Sequence, residues 1–238
     1  MRIAYLDCTS GVSGDMFLAA LLDAGVKITE LRKMLSGLAI SGYRLELARV
    51  KKPGQVTSRL KVKVTGSQHF RGYKDIKNII QGSKLSPGVK RKSLRILKKL
   101  GETEARVHGC RLQEVHFHEI GAVDTIIDIV GVVWALEKLG IGKIYCSPVN
   151  TGCGTVKTAH GILPVPAPAT AELLKDMATY NSGIRQELAT PTGAAILATV
   201  CSGSGPLPEM YLERVGASSG SKEFPGHRNV FRLLIGKK

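Results

Sequence analysis

The sequence predicts an α/β protein, a mixed sheet covered by helices with a basic hairpin-plus-helices subdomain. Strand-like and helix-like segments alternate along its 238 residues, which is typical of a sheet packed against helices. The 43% of hydrophobic residues is enough to form a core. Residues 44–106 hold 18 of the 34 basic residues and only 4 of the 19 acidic ones. We therefore expect one domain over residues 1–238, with a basic insert or subdomain at 44–106.

The first half of the chain predicts a strand, a helical region and a hairpin. Alternating apolar residues predict a strand over Arg2–Asp7, and an apolar segment predicts a helix that begins after Ser13 and runs to residue 24. Strand-like residues on either side of Lys-Lys-Pro-Gly predict a hairpin over residues 43–65. The remaining elements expected here are helices at 29–36, 74–81 and 87–108, a strand at 114–118 and a buried helix at 122–139.

The second half predicts further strands, a loop and two helices. Residues 150–168 are rich in glycine and proline, which indicates an extended or looped segment. Thr190 followed by Pro191 predicts the start of a helix that ends near Val200. The other elements expected here are strands at 143–149, 185–189, 211–215 and 230–235, and a helix at 169–177.

The segment from His116 to Asp128 carries the densest set of candidate metal ligands. On the predicted strand, His116 and His118 share a face, and Glu119 follows at the turn. Asp124 and Asp128 stand four residues apart on the predicted helix, so they also share a face. Imidazole and carboxylate groups bind divalent metal ions. The alternative is structural: Asp124 caps the helix, Asp128 pairs with a basic residue, and the histidines pack.

The turn after the first strand is a candidate ligand-binding loop. A strand end, two glycines, two serines and a helix start indicate an anion site built from backbone amides. The alternative is an ordinary strand–turn–helix junction in which serine and aspartate act as caps. The residues assigned to cofactor binding here are Asp7, Ser10, Gly11, Ser13, Gly14 and Asp15.

Two later motifs add candidates. His160 precedes prolines at 164, 166 and 168, whose spacing keeps the chain extended and can fix the histidine in a pocket. Thr190 and Thr192 begin a helix and are assigned to cofactor binding, with Glu187 just ahead of them. The alternatives are a structural proline loop and simple helix capping.

Composition restricts the cellular setting and the partners. No run of about 18 uncharged apolar residues occurs, so we expect no membrane partner. The five cysteines are scattered and form no CxxC pair, which suits a reducing cytoplasm. The basic segment 44–106 leaves open a nucleotide- or RNA-binding module. Because aromatic residues make up only 5%, we do not expect nucleic acid as the partner.

Taken together, the motifs resemble those of one family, the LarC-type nickel insertion proteins. The matching strings are YLDCTSGVSGDM from residue 5, EVHFHEIGAVDTIID from 114, HGILPVPAPAT from 160, LATPTGAA from 188 and PGHRNVFRLL from 225. Four long strings in the same order, followed by a matching tail, make this resemblance more specific than any single motif.

The resemblance implies a CTP-dependent cyclometallase, a nickel chelatase of the lyase class. Its activity is to place Ni²⁺ into pyridinium-3,5-bisthiocarboxylic acid mononucleotide, with one Ni–C and two Ni–S bonds, to form the nickel-pincer cofactor of lactate racemase. The reaction needs weak nickel ligands, for which His116, His118, Asp124 and Asp128 are candidates. It also needs a base that removes a ring proton, for which His160, Glu119 and Asp124 are unranked candidates.

The sequence departs from the family pattern in two ways. Many members carry a histidine-rich run where this chain has only His69. Full-length members continue into a C-terminal domain that is associated with CTP binding, whereas this chain ends at Lys238. We therefore expect CTP and its divalent cation to bind to such a C-terminal domain or to a companion chain. A homo-oligomer remains an open alternative.

Overall fold

The computed structural model describes residues 1–65, 71–115, 117, 123–223 and 227–238. Its helices are α1 (Gly14–Asp23), α2 (Ile28–Leu35), α3 (Tyr73–Gly82), α4 (Pro87–His108), α5 (Val123–Lys138), α6 (Pro168–Leu173) and α7 (Pro191–Val200), with a 3₁₀ turn at Leu112–Glu114. Its longer strands are β1 (Arg2–Asp7), β2 (Tyr43–Lys52), β3 (Gln55–Val64), β4 (Lys143–Cys146), β6 (Thr155–Thr158), β7 (Gly161–Pro164), β10 (Tyr211–Ser219) and β11 (Val230–Lys237). The two-residue strands are β5 (Val149–Asn150), β8 (Thr179–Tyr180) and β9 (Gly203–Ser204).

A seven-stranded mixed sheet of order β2-β3-β10-β11-β1-β4-β9 forms the centre of the fold. In the middle of this sheet, β1 runs antiparallel to β11 and parallel to β4. The predicted hairpin β2–β3 extends the sheet through a parallel bridge between Ser58 and Ser218. The predicted α/β class is therefore confirmed. The basic segment continues the central sheet, while the assignment of one domain with an insert stays a prediction.

Helices α1 and α5 pack closely on each other beside this sheet. A side-chain Cβ at Gly131 of α5 would lie 2.8 Å from Leu18 Cδ2 of α1, so the contact requires a glycine. Phe17 of α1 meets Phe231 of β11 with ring centroids 5.6 Å apart. The two helices are buried along most of their length, as their apolar sequences predict. Their first turns therefore lie at the same place, beside the end of β1.

Two helix starts agree with the sequence prediction in detail. Ser86 Oγ accepts a hydrogen bond from the Val89 amide at 3.1 Å, and the Thr190 side chain accepts one from the Gly193 amide at 3.3 Å. A proline occupies the first turn in both helices. Ser13 is also an N-cap residue, but its side chain makes no capping hydrogen bond.

The predicted strand at 114–118 is wrong for the residues that the structure describes. Glu114 ends a 3₁₀ turn, in which its carboxylate accepts a hydrogen bond from the Arg111 amide at 3.0 Å. Val115 and Phe117 are buried but belong to no strand. Alternation of apolar and polar residues indicates that one side of a segment is buried. A strand also needs a neighbouring strand for its backbone hydrogen bonds, and the alternation does not predict one. His116 and His118 lie outside the described residues, so their shared face stays a prediction.

Two predictions for residues 150–189 also need correction, whereas the segment at 150–168, expected to be extended or looped, does contain extended residues in the hairpin β6–β7. The helix expected at 169–177 ends at Leu173. Residues 185–189 form no strand and contribute only isolated bridges, Val12 with Ala189 and Gly152 with Glu187. The bridges of residues 185–189 join them to residues distant in sequence, which local patterns do not predict.

Candidate functional site

A cleft of about 640 Å³ lies where the first turns of α1, α5 and α7 meet. This volume is in the range that small-molecule sites occupy. Three helix N-termini at one place bring backbone amides and positive dipole ends toward the same space. The predicted site residues that line this cleft are Ser13, Gly14, Asp15, Asp124, Asp128, His160, Thr190 and Thr192.

Asp128 is the most unusual group in the cleft. The residue is 7% exposed, and its Oδ1 atom has no hydrogen-bond partner in the described part of the chain. Burial first, then the nearby charges of Asp15 and Asp124, raise the pKa of its carboxyl group well above the ordinary value. A buried carboxylate oxygen without a partner is costly, and a bound cation would remove that cost.

Gly14 allows Asp128 to approach the start of α1. A Cβ at position 14 would lie 2.4 Å from Asp128 Oδ2 and 2.6 Å from its Cβ. No L-residue with a side chain fits in that space without a shift of α1 or α5. The glycine that the sequence assigned to cofactor binding therefore serves to seat a carboxylate in the cleft.

Asp15 and Asp124 are the other two carboxylates at this end of the cleft. The Asp15 side chain accepts a hydrogen bond from the Ser13 hydroxyl group. Asp124 Oδ1 accepts one from the Thr125 amide at 2.7 Å. Burial is the main cause that raises the pKa of Asp124, and the charge of Asp15 raises it further. We refer to Asp15, Asp124 and Asp128 as the acidic floor.

The acidic floor by itself does not form a closed metal site. Within residues 1–65, 71–115, 117, 123–223 and 227–238, no three His, Cys, Asp or Glu side chains are placed to hold one ion. Two of the predicted ligands, Asp124 and Asp128, do line the cleft. His116, His118 and Glu119 lie outside the described residues, so their assigned roles stay predictions. Phe117, which separates the two histidines in the sequence, is buried and lines the cleft.

Two imidazoles meet elsewhere along the lining of the cleft. The rings of His108 and His160 have centroids 4.6 Å apart, and His108 Nε2 lies 3.3 Å from Glu104 Oε2. His160 was predicted from the sequence as a site residue, whereas His108 and Glu104 were not. Both lie near the end of the long basic helix α4, where charge looked like a solvated face. Only the packing of α4 beside the β6–β7 loop brings them to His160.

Three amides of the turn after β1 already have protein acceptors. The amides of Thr9, Gly11 and Val12 donate hydrogen bonds to Asp7 Oδ1 at 3.2 Å, Cys8 O at 2.9 Å and Leu188 O at 3.0 Å. Gly11 has φ +80°, and a Cβ there would lie 2.1 Å from Leu188 O. Backbone geometry and packing are therefore sufficient to explain a glycine at this position. Gly11 is absent from the lining of the cleft. Its assignment to cofactor binding stays a prediction, as does that of the whole set.

Asp7 and Ser10 lie in a second, smaller cavity of about 340 Å³. The guanidinium of Arg232 donates to Asp7 Oδ2, with Nε at 2.9 Å. Burial raises the pKa of Asp7, but hydrogen bonds from Arg232 and Thr9 outweigh it, and the net direction is down. Ser10 Oγ accepts from the Val230 amide at 3.0 Å and contacts His227 Nε2 at 3.1 Å. The structure thus divides the predicted loop between two cavities.

The basic segment distributes its charge over several surfaces. Arg59 and Lys61 of β3 line the cleft, whereas Lys63 pairs with Glu46 on the hairpin. The exposed cations of α4 face away from its buried side. This division argues against one continuous basic surface for nucleic acid.

No helix in the described part of the chain is long and apolar enough to cross a membrane. All five cysteines are free thiols.

Comparison with known proteins gives a consistent result. The family model described as nickel insertion protein matches residues 4–238. A pyridinium-3,5-bisthiocarboxylic acid mononucleotide nickel insertion protein of Desulfitobacterium hafniense, strain DSM 10664 / DCB-2, is 47% identical over 237 residues, which are 100% of this chain and 59% of that protein. The same-named protein of strain Y51 is 46% identical, with the same coverage.

The chain spans about three fifths of the length of these relatives. No solved structure matches it. The family match covers nearly every residue, and it includes all the strings on which the resemblance was based. The chain belongs to the nickel insertion protein family.

Proposed function

We propose that this chain takes part in inserting nickel into pyridinium-3,5-bisthiocarboxylic acid mononucleotide, the reaction for which its relatives are named. The observation that carries the proposal is the acidic floor, in which Asp128 lines the cleft and its buried Oδ1 atom has no hydrogen-bond partner among the residues that the structure describes. Such an oxygen favours a bound cation. The cleft is also large enough for a small organic molecule.

In this proposal nickel is the substrate and the side chains hold it only for transfer. Asp124 and Asp128 are the ligands on α5, and His116 and His118 complete the set. Imidazole and carboxylate ligands release nickel more readily than thiolates, which suits an ion that must be passed on. None of the five cysteines lines the cleft, in agreement with that requirement.

Formation of the nickel–carbon bond requires a base. The electron pair of the ring C–H bond stays on carbon and becomes the Ni–C bond, while the proton goes to a side chain. His160 and Asp124 both line the cleft. A raised pKa moves Asp124 closer to neutral pH, where a carboxylate accepts a proton more effectively. Glu119 remains a third candidate from the sequence.

The wider setting is also part of the proposal. The family resemblance supports a CTP-dependent enzyme in which CTP and a divalent cation bind to a C-terminal domain or companion chain. Five free thiols support a reducing, cytoplasmic location. A homo-oligomeric form stays an open prediction, and the molar mass in solution, measured by light scattering, would test it.

Nickel titration by calorimetry tests this function. We expect the chain to bind Ni²⁺ and the Asp124→Asn/Asp128→Asn variant to bind it at least tenfold more weakly, because both lose carboxylate ligands. The His116→Ala/His118→Ala variant should show a similar loss. Asp176→Asn is the matched control, since Asp176 is exposed and outside the cleft. Equal binding by the wild type and both double variants would contradict the ligand assignment.

A further inference from the structure

Three cations from two separate elements line the same cleft as the acidic floor. Arg59 and Lys61 stand two residues apart on β3, so their side chains share a face, and Lys157 comes from β6. We propose that these three residues, the cationic wall, bind the phosphate monoester of a mononucleotide substrate. This inference rests on the proposed function and adds the orientation of the substrate in the cleft.

Arg59 is the strongest member of the wall. Its Nε and Nη2 atoms are buried and have no hydrogen-bond partner among the described residues. The nearest carboxylate, that of Glu223, lies 3.6 Å from Nη2 and already pairs with Lys52 Nζ at 2.7 Å. Two cations thus share this one carboxylate, which leaves the three groups together with a net positive charge. Guanidinium groups bind phosphate oxygens through two parallel hydrogen bonds, which suits this place.

Lys61 and Lys157 add positive charge to the lining of the cleft. Both residues are exposed, and neither forms a direct ion pair with another described residue, although Lys61 lies opposite Glu46 in the β2–β3 ladder and its charge acts on that carboxylate. Lys63, the next residue on the same face of β3, differs in both respects: it is paired with Glu46 at 3.0 Å and is absent from the cleft lining. Lys61 and Lys157 therefore line the cleft without a direct ion pair among the described residues.

The cationic wall and the acidic floor come from different elements, β3 and β6 for the wall and α1 and α5 for the floor. The charges that act on Asp124 and Asp128 are those of other carboxylates, and no described cation contributes. A cation at the acidic floor and an anion at the cationic wall can therefore bind at the same time. Within the turn after β1, the amides of Thr9, Gly11 and Val12 already donate to protein oxygens, so these three groups are not available to bind the phosphate.

This separation defines how a nickel acceptor lies in the cleft. A mononucleotide carries its phosphate at one end and its aromatic base at the other. With the phosphate at the cationic wall, the base extends toward the acidic floor, where the ion is held. The cationic wall would then select a phosphorylated substrate over its nucleoside and fix its orientation.

Binding of a commercially available pyridine mononucleotide tests the proposal. The probes are nicotinic acid mononucleotide and nicotinic acid riboside, which differ only by the phosphate. We expect the chain to bind the mononucleotide at least tenfold more tightly than the riboside, as measured by calorimetry. Lys61→Gln/Lys157→Gln should remove most of that difference, and Lys63→Gln should retain it. Arg59→Gln, checked for folding by its thermal transition, should remove it as well.

Nickel binding separates failure of this inference from failure of the proposed function. The Lys61→Gln/Lys157→Gln variant should bind Ni²⁺ like the wild type, because it leaves the acidic floor intact. Equal affinity for mononucleotide and riboside, or an unchanged preference in the double variant, would overturn the inference even when nickel binds. Binding of Mg²⁺–CTP is measured as well. If the Lys61→Gln/Lys157→Gln variant loses CTP binding but keeps mononucleotide binding, the cationic wall binds a triphosphate, and the inference is overturned.

Discussion

At the scale of single residues, the contact between Gly14 and Asp128 determines the chemistry of the cleft. The glycine leaves room for a carboxyl group that is buried, close to two others, and has one oxygen without a hydrogen-bond partner in the described part of the chain. A fold optimised for stability alone would have no reason to keep such a group. Features of this kind are typical of sites where function is retained at the expense of stability.

The substitution Gly14→Ala tests this contact. The added Cβ would overlap Asp128 Oδ2, so α1 or α5 must shift, and we expect the free energy of unfolding to fall by about 1–3 kcal/mol. Gly82→Ala is the control, because nothing lies within 4 Å of a Cβ at that helical position. It should leave stability unchanged or raise it by up to about 1 kcal/mol. Urea unfolding measures both, and equal effects would show that the contact is not tight.

Residue types were easier to predict than their partners. The sequence identified Asp124 and Asp128 from helical spacing, because a period of 3.6 residues places them on one face. It could not show that Asp15 joins them, since that requires the crossing of α1 and α5. Nor could it pair His108 with His160, which are brought together only by tertiary packing.

At the scale of elements, an ion pair connects the central strands at the end near the smaller cavity. Asp7 of β1 lies opposite Arg232 of β11 in the ladder, and its carboxylate accepts two hydrogen bonds from that guanidinium. The Asp7 side chain is 11% exposed, so the pair is shielded from solvent on one side. Partial burial makes such a pair stronger than a surface ion pair.

The pH dependence of stability follows from the lowered pKa of Asp7. Its contribution is fully present above the pKa of about 3.9 in the unfolded chain, and it is lost as pH falls through the lower folded pKa. We expect Asp7→Asn to cost about 1–2 kcal/mol at pH 7 and to reduce the loss of stability between pH 5 and pH 2. Thermal denaturation across this range measures it, with Asp176→Asn as control. Parallel pH profiles for wild type and Asp7→Asn would contradict the ion-pair assignment.

Elements with strong local signals were predicted, and those that depend on distant partners were not. Helices α4 and α7 begin where serine or threonine precedes proline, because the cap and the fixed backbone angle act within one turn. The segment at 114–118 has strand-like alternation, but its described residues, Glu114, Val115 and Phe117, belong to no strand of the sheet. The hairpin β6–β7 was hidden by prolines, which a short edge pair tolerates.

At the scale of the whole molecule, the cleft combines parts that lie far apart in the chain. The acidic floor comes from α1 and α5, the imidazoles from α4 and the β6–β7 loop, and the cationic wall from β3 and β6. The concentration of basic residues in 44–106 is visible in the sequence. Which of them face the cleft follows only from where β3 joins the sheet, through its bridge to β10.

The measurement that most directly tests the central claim is anomalous X-ray scattering at the nickel edge from crystals of this chain soaked in Ni²⁺. We predict one principal nickel peak in the cleft, with carboxylate oxygens of Asp124 or Asp128 at bonding distance, and loss of that peak in the Asp124→Asn/Asp128→Asn variant. A principal peak elsewhere on the molecule, or one that persists unchanged in the variant, would contradict the claim that the acidic floor holds the ion.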